Sequence, residues 1–266
     1  MRHSSKGSLP GVLLAIDVGN TQTHLGMFDG DELVEHWRLH TDRDATADTL
    51  AANISNLLGL RDLGLRDVDA AIVSSVVPVL GHEYGELSGR YLNGALQSVG
   101  PQLKIGMPIR MDNPHEVGAD RLVNAVAAYE RVGGACVVAD FGTSTNFDVV
   151  SPQGDYIGGV LAPGVEISIE ALASRAARLF KVDLEPPLQV IGKNTAAALQ
   201  SGVIYGFAGQ VDAIVRRVRE ELGEEATALA TGGLAAPIVP FCEEIDEVDD
   251  LLTLTGLKLI WERNRS

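Results

Sequence analysis

The chain has 266 residues, 45% of them apolar and 5% aromatic, and a formal net charge of −15. That length suits one large or two medium domains, and the negative balance argues against a nucleic-acid surface, which needs a basic stripe to meet phosphate backbones. No run approaches the roughly 18 apolar residues of a membrane span, and two scattered cysteines, Cys136 and Cys242, suit neither a disulfide framework nor a zinc site. The expectation is a soluble protein of the reducing cytoplasm with no nucleic-acid or membrane partner.

Residues Met1 to Gly11 carry basic side chains without the apolar segment of a secretory signal and are expected to form a loose leader. The apolar run from Leu14 to Val18 then reads as a strand that ends in Asp17, Gly19 and a cluster of small polar residues up to Thr23. An acid at a strand end can hold a metal, and glycine lets the backbone approach a ligand. Backbone N–H groups and the Thr21 and Thr23 hydroxyls can then face phosphate oxygens. Asp29-Gly30 between two apolar runs predicts a hairpin.

The stretch Ala45 to Leu60 predicts a helix with Leu50, Ile54, Leu57 and Leu58 on one face and Thr46 or Asp44 as cap. Val68 to Val77 reads as a buried parallel strand ended by Pro78, with Ser74 and Ser75 at its tip, either lining a site or capping the next helix. A helix is predicted over His82 to Leu96 and a short strand at Leu103 to Ile105, and this alternation of strand and helix means α/β. Asn113-Pro114 makes a turn, and Gly118, Ala119, Asp120 and Arg121 lead into a helix carrying Leu122, Val126 and Tyr129. Asp120 there either simply complements the helix dipole or does chemistry, and its place just before the next strand favours the second.

Ala135 to Thr145 then repeats the first plan of apolar strand, acid, one residue, glycine and small polar residues, through Asp140, Gly142 and Thr143, and it also continues as a hairpin. Two such units predict two domains of like fold, each offering an acidic phosphate loop to a cleft between them. A helix through Ile167, Leu172 and Leu179 follows. Next comes a long helix opened by Asn194 or Thr195, with Val203, Phe207, Val211, Ile214, Val218 and Leu222 as its apolar stripe. Thr195 is equally readable as a cap or a ligand contact. Ala226 to Gly233 is a small apolar strand ending in paired glycines, against which a flat nucleotide can lie, and Asp249 to Arg265 predicts a last amphipathic helix. The histidines show no metal-binding spacing: His36 and His40 fall in a predicted strand, too far apart to share an ion.

With both Asp-x-Gly loops, Gly118-Ala119-Asp120-Arg121, Gly192-Lys193-Asn194-Thr195 and Thr231-Gly232-Gly233 in order, the chain from about Leu13 to Asn264 resembles the type III pantothenate kinases of the acetate and sugar kinase, Hsp70 and actin superfamily. The resemblance implies two ribonuclease H-like (actin-like ATPase) domains, here 12–118 and 119–266, with the last helix able to pack back on the first. It implies ATP bound by Asp17, Val18, Gly19, Asn20, Thr21, Gln22, Thr23, His24 and Thr143, and pantothenate bound by Gly118, Ala119, Asp120, Arg121 and Thr195. Asp120 would be the proton acceptor and Asp140 the ligand of a monovalent cation, K⁺ or NH₄⁺, beside Mg²⁺ on the triphosphate. A homodimer is implied as well. The chain departs from the family pattern with His24 where lysine is frequent, Ser144 where alanine is common and Asn146 where threonine is common, which bears on nucleotide grip. Two other readings stand beside this one, a superfamily kinase with another small acceptor and a catalytically silent nucleotide-binding accessory factor for transcription.

Overall fold

Strand β1 (Val12–Val18) is buried on both faces through Leu13, Leu14, Ala15 and Ile16, as a near-continuous apolar run requires of a central strand. The computed structural model describes residues 11–175 and 182–265. Most of the expected leader, and Leu179 of an expected helix, lie outside them. β1 pairs antiparallel with β2 (Gln22–Asp29), which turns at Gly30 (φ +59°) into β3 (Glu32–His40). The predicted Asp-Gly hairpin is therefore present. Helix α1 (Ala47–Gly59) is capped by the Thr46 hydroxyl, which accepts from Thr49 N, and buries Leu50, Ile54 and Leu58.

β4 (Val68–Ser75) runs parallel to β1, and Pro78 opens α2 (Pro78–Tyr91), where a missing N–H costs nothing. Two expectations need correction here. The helix expected over His82 to Leu96 begins at Pro78 and stops at Tyr91, and the strand expected at Leu103 to Ile105 is instead β5 (Leu96–Ser98), parallel to β4. Gly94 explains the first: a Cβ there would lie 1.7 Å from the Asp69 carbonyl oxygen, so the chain runs hard against β4 and turns into the sheet. The backbone of Lys104 is taken up by a side chain instead, its N–H donating to Asn264 Oδ1 and its carbonyl accepting from Asn264 Nδ2.

Helix α3 (Ala119–Val132) leads to β6 (Cys136–Phe141), β7 (Ser144–Val150) and β8 (Tyr156–Pro163), joined as an antiparallel meander. After α4 (Val165–Arg175) and α5 (Thr195–Leu222) come β9 (Thr227–Thr231), the short α6 (Ala235–Ile238), β10 (Glu247–Val248) and α7 (Leu252–Asn264). β9 lies parallel to β6, and β10 parallel to β9.

The sheets are thus ordered β3-β2-β1-β4-β5 and β8-β7-β6-β9-β10. Each is a three-stranded meander whose first strand is followed, on its other side, by two further parallel strands in succession, so the repeat read from the two Asp-x-Gly turns is a repeat of whole topology.

The chain forms two compact units. Of the described residues, one holds those up to Gly106, Val117–Val123 and those from Thr253 on; the other holds Met107–Glu116 and those between Asn124 and Leu252. In the first, α7 approaches Val123 closely at Gly256, where a Cβ would lie 2.2 Å from the Val123 carbonyl oxygen. In the second, the buried face of α5 is Ser201, Ile204, Ala208, Val211, Asp212 and Val215. Of the expected stripe only Val211 is fully buried, while Val203, Phe207, Ile214, Val218 and Leu222 are partly buried flanks. Small residues at 201 and 208 draw the helix in along their own line, and the larger apolar side chains cover its sides.

Candidate active site

The first turn closes on itself. Gly19 N donates to the Gln22 carbonyl at 3.0 Å, and a Cβ on Gly19 would stand 2.9 Å from the same oxygen, so a side chain there would crowd the turn. Asp17 is half-buried just before it, facing His24 across the β1–β2 pair, while Asn20, Thr21 and Gln22 are exposed. Thr23 is placed differently from its neighbours: it is buried, and its hydroxyl lies 2.9 Å from that of Thr41. Burial pushes the His24 imidazole down to about 4, with Arg38 and His36 adding repulsion, so His24 is neutral at pH 7.

The second turn closes in the same way, Gly142 N donating to the Ser144 carbonyl at 3.0 Å. Thr143 is exposed at its tip, and the β8–α4 corner packs onto it so closely that a Cβ on Gly164 would lie 2.1 Å from the Thr143 carbonyl oxygen. Ser144 and Asn146, two of the departures from the family pattern, bond to each other, Ser144 Oγ donating to Asn146 Oδ1 at 2.7 Å. Asp140 Oδ2 accepts from Asn124 Nδ2 at 3.2 Å. Its other oxygen faces Gly232, where φ is +96° and a Cβ would lie 2.5 Å from Oδ1. Thr231, paired with Asp140 in the parallel β6–β9 ladder, is buried.

Asp120 occupies the first turn of α3 and is half-buried. Its Oδ1 accepts from Arg121 N at 2.9 Å, and a Cβ on Gly118 would stand 2.6 Å from that oxygen. Burial raises the Asp120 carboxyl above the ordinary range, against the opposing pull of the Arg121 N–H and guanidinium. A carboxylate raised in this way is a stronger base than a solvated one. Thr195 is the exposed first residue of α5, and the cap is Asn194, whose Oδ1 accepts from Ala197 N at 2.8 Å. The choice between the two caps therefore falls on Asn194.

Two residues in these clusters escaped the sequence reading. Asn124 is 1% exposed within the apolar run of α3, and a lone amide at a core position was the signal that something polar must meet it. Arg43 donates through Nη2 to Asn20 Oδ1 at 3.0 Å, a contact 23 residues apart in sequence that no local pattern encodes. Among the described residues, no group of three or more His, Cys, Asp or Glu is placed to hold a metal ion, and no helix is long and apolar enough to cross a membrane.

Two acid-glycine turns at matching positions of duplicated sheets define a chain of the actin-like ATPase and sugar kinase fold. Solved structures of that class overlay nearly the whole chain. They include a Baf family protein from Campylobacter jejuni (18% identical, TM-score 0.59, covering 94% of this chain and 98% of that one). An archaeal actin homologue (14%, TM-score 0.52, 95% and 100%) and an inorganic polyphosphate/ATP-glucomannokinase from Arthrobacter (15%, TM-score 0.51, 96% and 100%) align as well. The sequence model of the type III pantothenate kinases matches residues 13–217. The chain is 51% identical to the type III pantothenate kinase of Streptomyces griseus over 263 residues (96% of this chain, 99% of the relative) and 53% identical to that of Acidothermus cellulolyticus over 256 residues (95% and 99%). It belongs to the type III pantothenate kinase family, and is therefore a kinase that uses ATP and acts on a small molecule.

Proposed function

We propose that this enzyme transfers the γ-phosphoryl group of ATP to the primary hydroxyl of pantothenate, giving 4′-phosphopantothenate and ADP in the first step of coenzyme A biosynthesis. The observation that carries the reading is the pair of closed acid-glycine turns together with a half-buried carboxylate, Asp120, at the head of α3. Phosphoryl transfer asks for positioning and charge stabilisation more than covalent chemistry, and those are what these parts supply.

In this reading the backbone and side chains of residues 17–24, with Thr143, hold ATP. Gly118, Ala119, Arg121 and Thr195 hold pantothenate, the Arg121 cation meeting its polar groups and the exposed Thr195 offering a hydroxyl. Asp120 accepts the proton of the attacking hydroxyl as the oxygen bonds to phosphorus and the bond to ADP breaks. Its raised basicity and the room left by Gly118 support that role.

Magnesium would accompany the triphosphate. Asp140 would hold a monovalent cation, potassium or ammonium, which would supply positive charge beside the phosphates. A carboxylate oriented by Asn124 at one oxygen, with a glycine rather than a side chain facing the other, suits a hard cation. A homodimer in the cytoplasm completes the proposal. Exposed Leu161, Ile167 and Leu172 in the second unit support a protein partner there.

The test is the acceptor dependence of ADP release. Pantothenate should drive turnover, while a hexose, acetate and polyphosphate leave it at background; turnover driven by one of those instead would replace the assignment.

A further inference from the structure

Phosphate-binding turns need positive charge, and the first turn does not obtain it from its own strand. His24 is neutral at physiological pH because it is half-buried and lies near Arg38 and His36. A cation reaches the turn from elsewhere in the chain. The segment after β3 is stitched to it: Thr41 N donates to the Thr21 carbonyl at 2.9 Å, and the Thr41 and Thr23 hydroxyls lie 2.9 Å apart in a buried pair. Two residues on, Arg43 Nη2 donates to Asn20 Oδ1 at 3.0 Å and approaches the Asn20 carbonyl at 3.5 Å. Both contacts use a single guanidinium nitrogen, and both residues are exposed at the tip of the turn.

We propose that Arg43 is a phosphate-binding residue of the nucleotide site, held at the tip of the turn by Asn20 and donating from its guanidinium to the triphosphate oxygens of ATP. The inference rests on residues 17–24 being the ATP turn. The planar fork of arginine suits phosphate geometry and keeps its charge at any physiological pH. The buried threonine pair anchors the segment, so Arg43 meets the ligand with less ordering cost than a side chain on a loose loop. Asp42 and Asp44 flank it; the Asp44 N–H donates to Asp42 Oδ1 at 3.0 Å, which folds that carboxylate back onto its own segment. The other nearby cation, Arg38, lies across from His24 in the β2–β3 ladder.

Calorimetric titration of the full-length protein with ATP, ADP and AMP tests this. Arg43→Gln should weaken ATP binding by about 10- to 100-fold, ADP less and AMP under about twofold, with an unchanged melting temperature; Arg43→Lys should recover part of the loss. The affinity of the wild type should also fall more steeply with added salt than that of Arg43→Gln. Unchanged ATP affinity, an equal loss for ATP and AMP, or a loss produced by Arg38→Gln instead, would each overturn the proposal. Failure of the underlying reading is seen separately: Gly19→Val, which puts bulk against the Gln22 carbonyl, would then leave ATP binding intact.

Discussion

The Asn124 side-chain amide donates to Asp140 at 3.2 Å from within the apolar stripe of α3, where Asn124 is 1% exposed. A buried amide so placed orients the carboxylate it meets. Asn124→Leu keeps the branched shape, at somewhat greater bulk, and removes the donor. The potassium concentration needed for half-maximal activation should rise about 10- to 100-fold while the KM for pantothenate stays near its original value. A variant with the potassium response of the wild type would separate Asn124 from cation binding.

The cation itself is tested by salt replacement at matched ionic strength. Pantothenate-dependent ADP release should be faster in potassium and ammonium than in sodium, and Asp140→Ala should abolish the difference. Equal rates in the three salts would remove the cation from the mechanism, because a general screening effect moves all three together.

Asp120→Asn should lower turnover by about 10² to 10⁴-fold while ATP binding persists. The fold should gain stability at the same time. A carboxyl raised by burial contributes most when protonated, and that contribution is lost as pH rises through its folded value. The variant should therefore melt above the wild type at pH 7, with the gap closing as pH falls into the ordinary carboxylate range. Near-normal turnover, or a lower melting temperature at pH 7, would count against the role given to Asp120.

Asn194, not Thr195, caps α5, so the substrate contact proposed for Thr195 can be tested apart from helix stability. Asn194→Ala removes the cap of α5 and should cost about 1 kcal/mol of stability. Thr195→Val should leave the melting temperature nearly unchanged and cost roughly 0.5 to 3 kcal/mol in kcat/KM for pantothenate. Kinetics that stay level in Thr195→Val would remove its hydroxyl from the substrate site.

Much of this was legible in the chain because local rules agree with the fold. Asp17 and Asp140 announce their turns through the apolar runs before them and the glycines after, and Thr46 caps the helix its type favours. What was not legible depends on distant backbone. The strand at Leu96–Ser98 follows from the close pass of Gly94 against Asp69, and the buried line of α5 from the packing of Ser201 and Ala208. Arg43 could not be joined to Asn20 without the Thr23 and Thr41 pair that brings their segments together.

The most direct test of the account is the identity of the phosphorylated product. Incubation of the purified protein with ATP, magnesium, potassium and pantothenate, followed by mass spectrometry and phosphorus NMR, should show 4′-phosphopantothenate formed one for one with ADP, and Asp120→Asn should suppress both together. ADP released without a phosphorylated pantothenate, or product formed at the wild-type rate by Asp120→Asn, would contradict it.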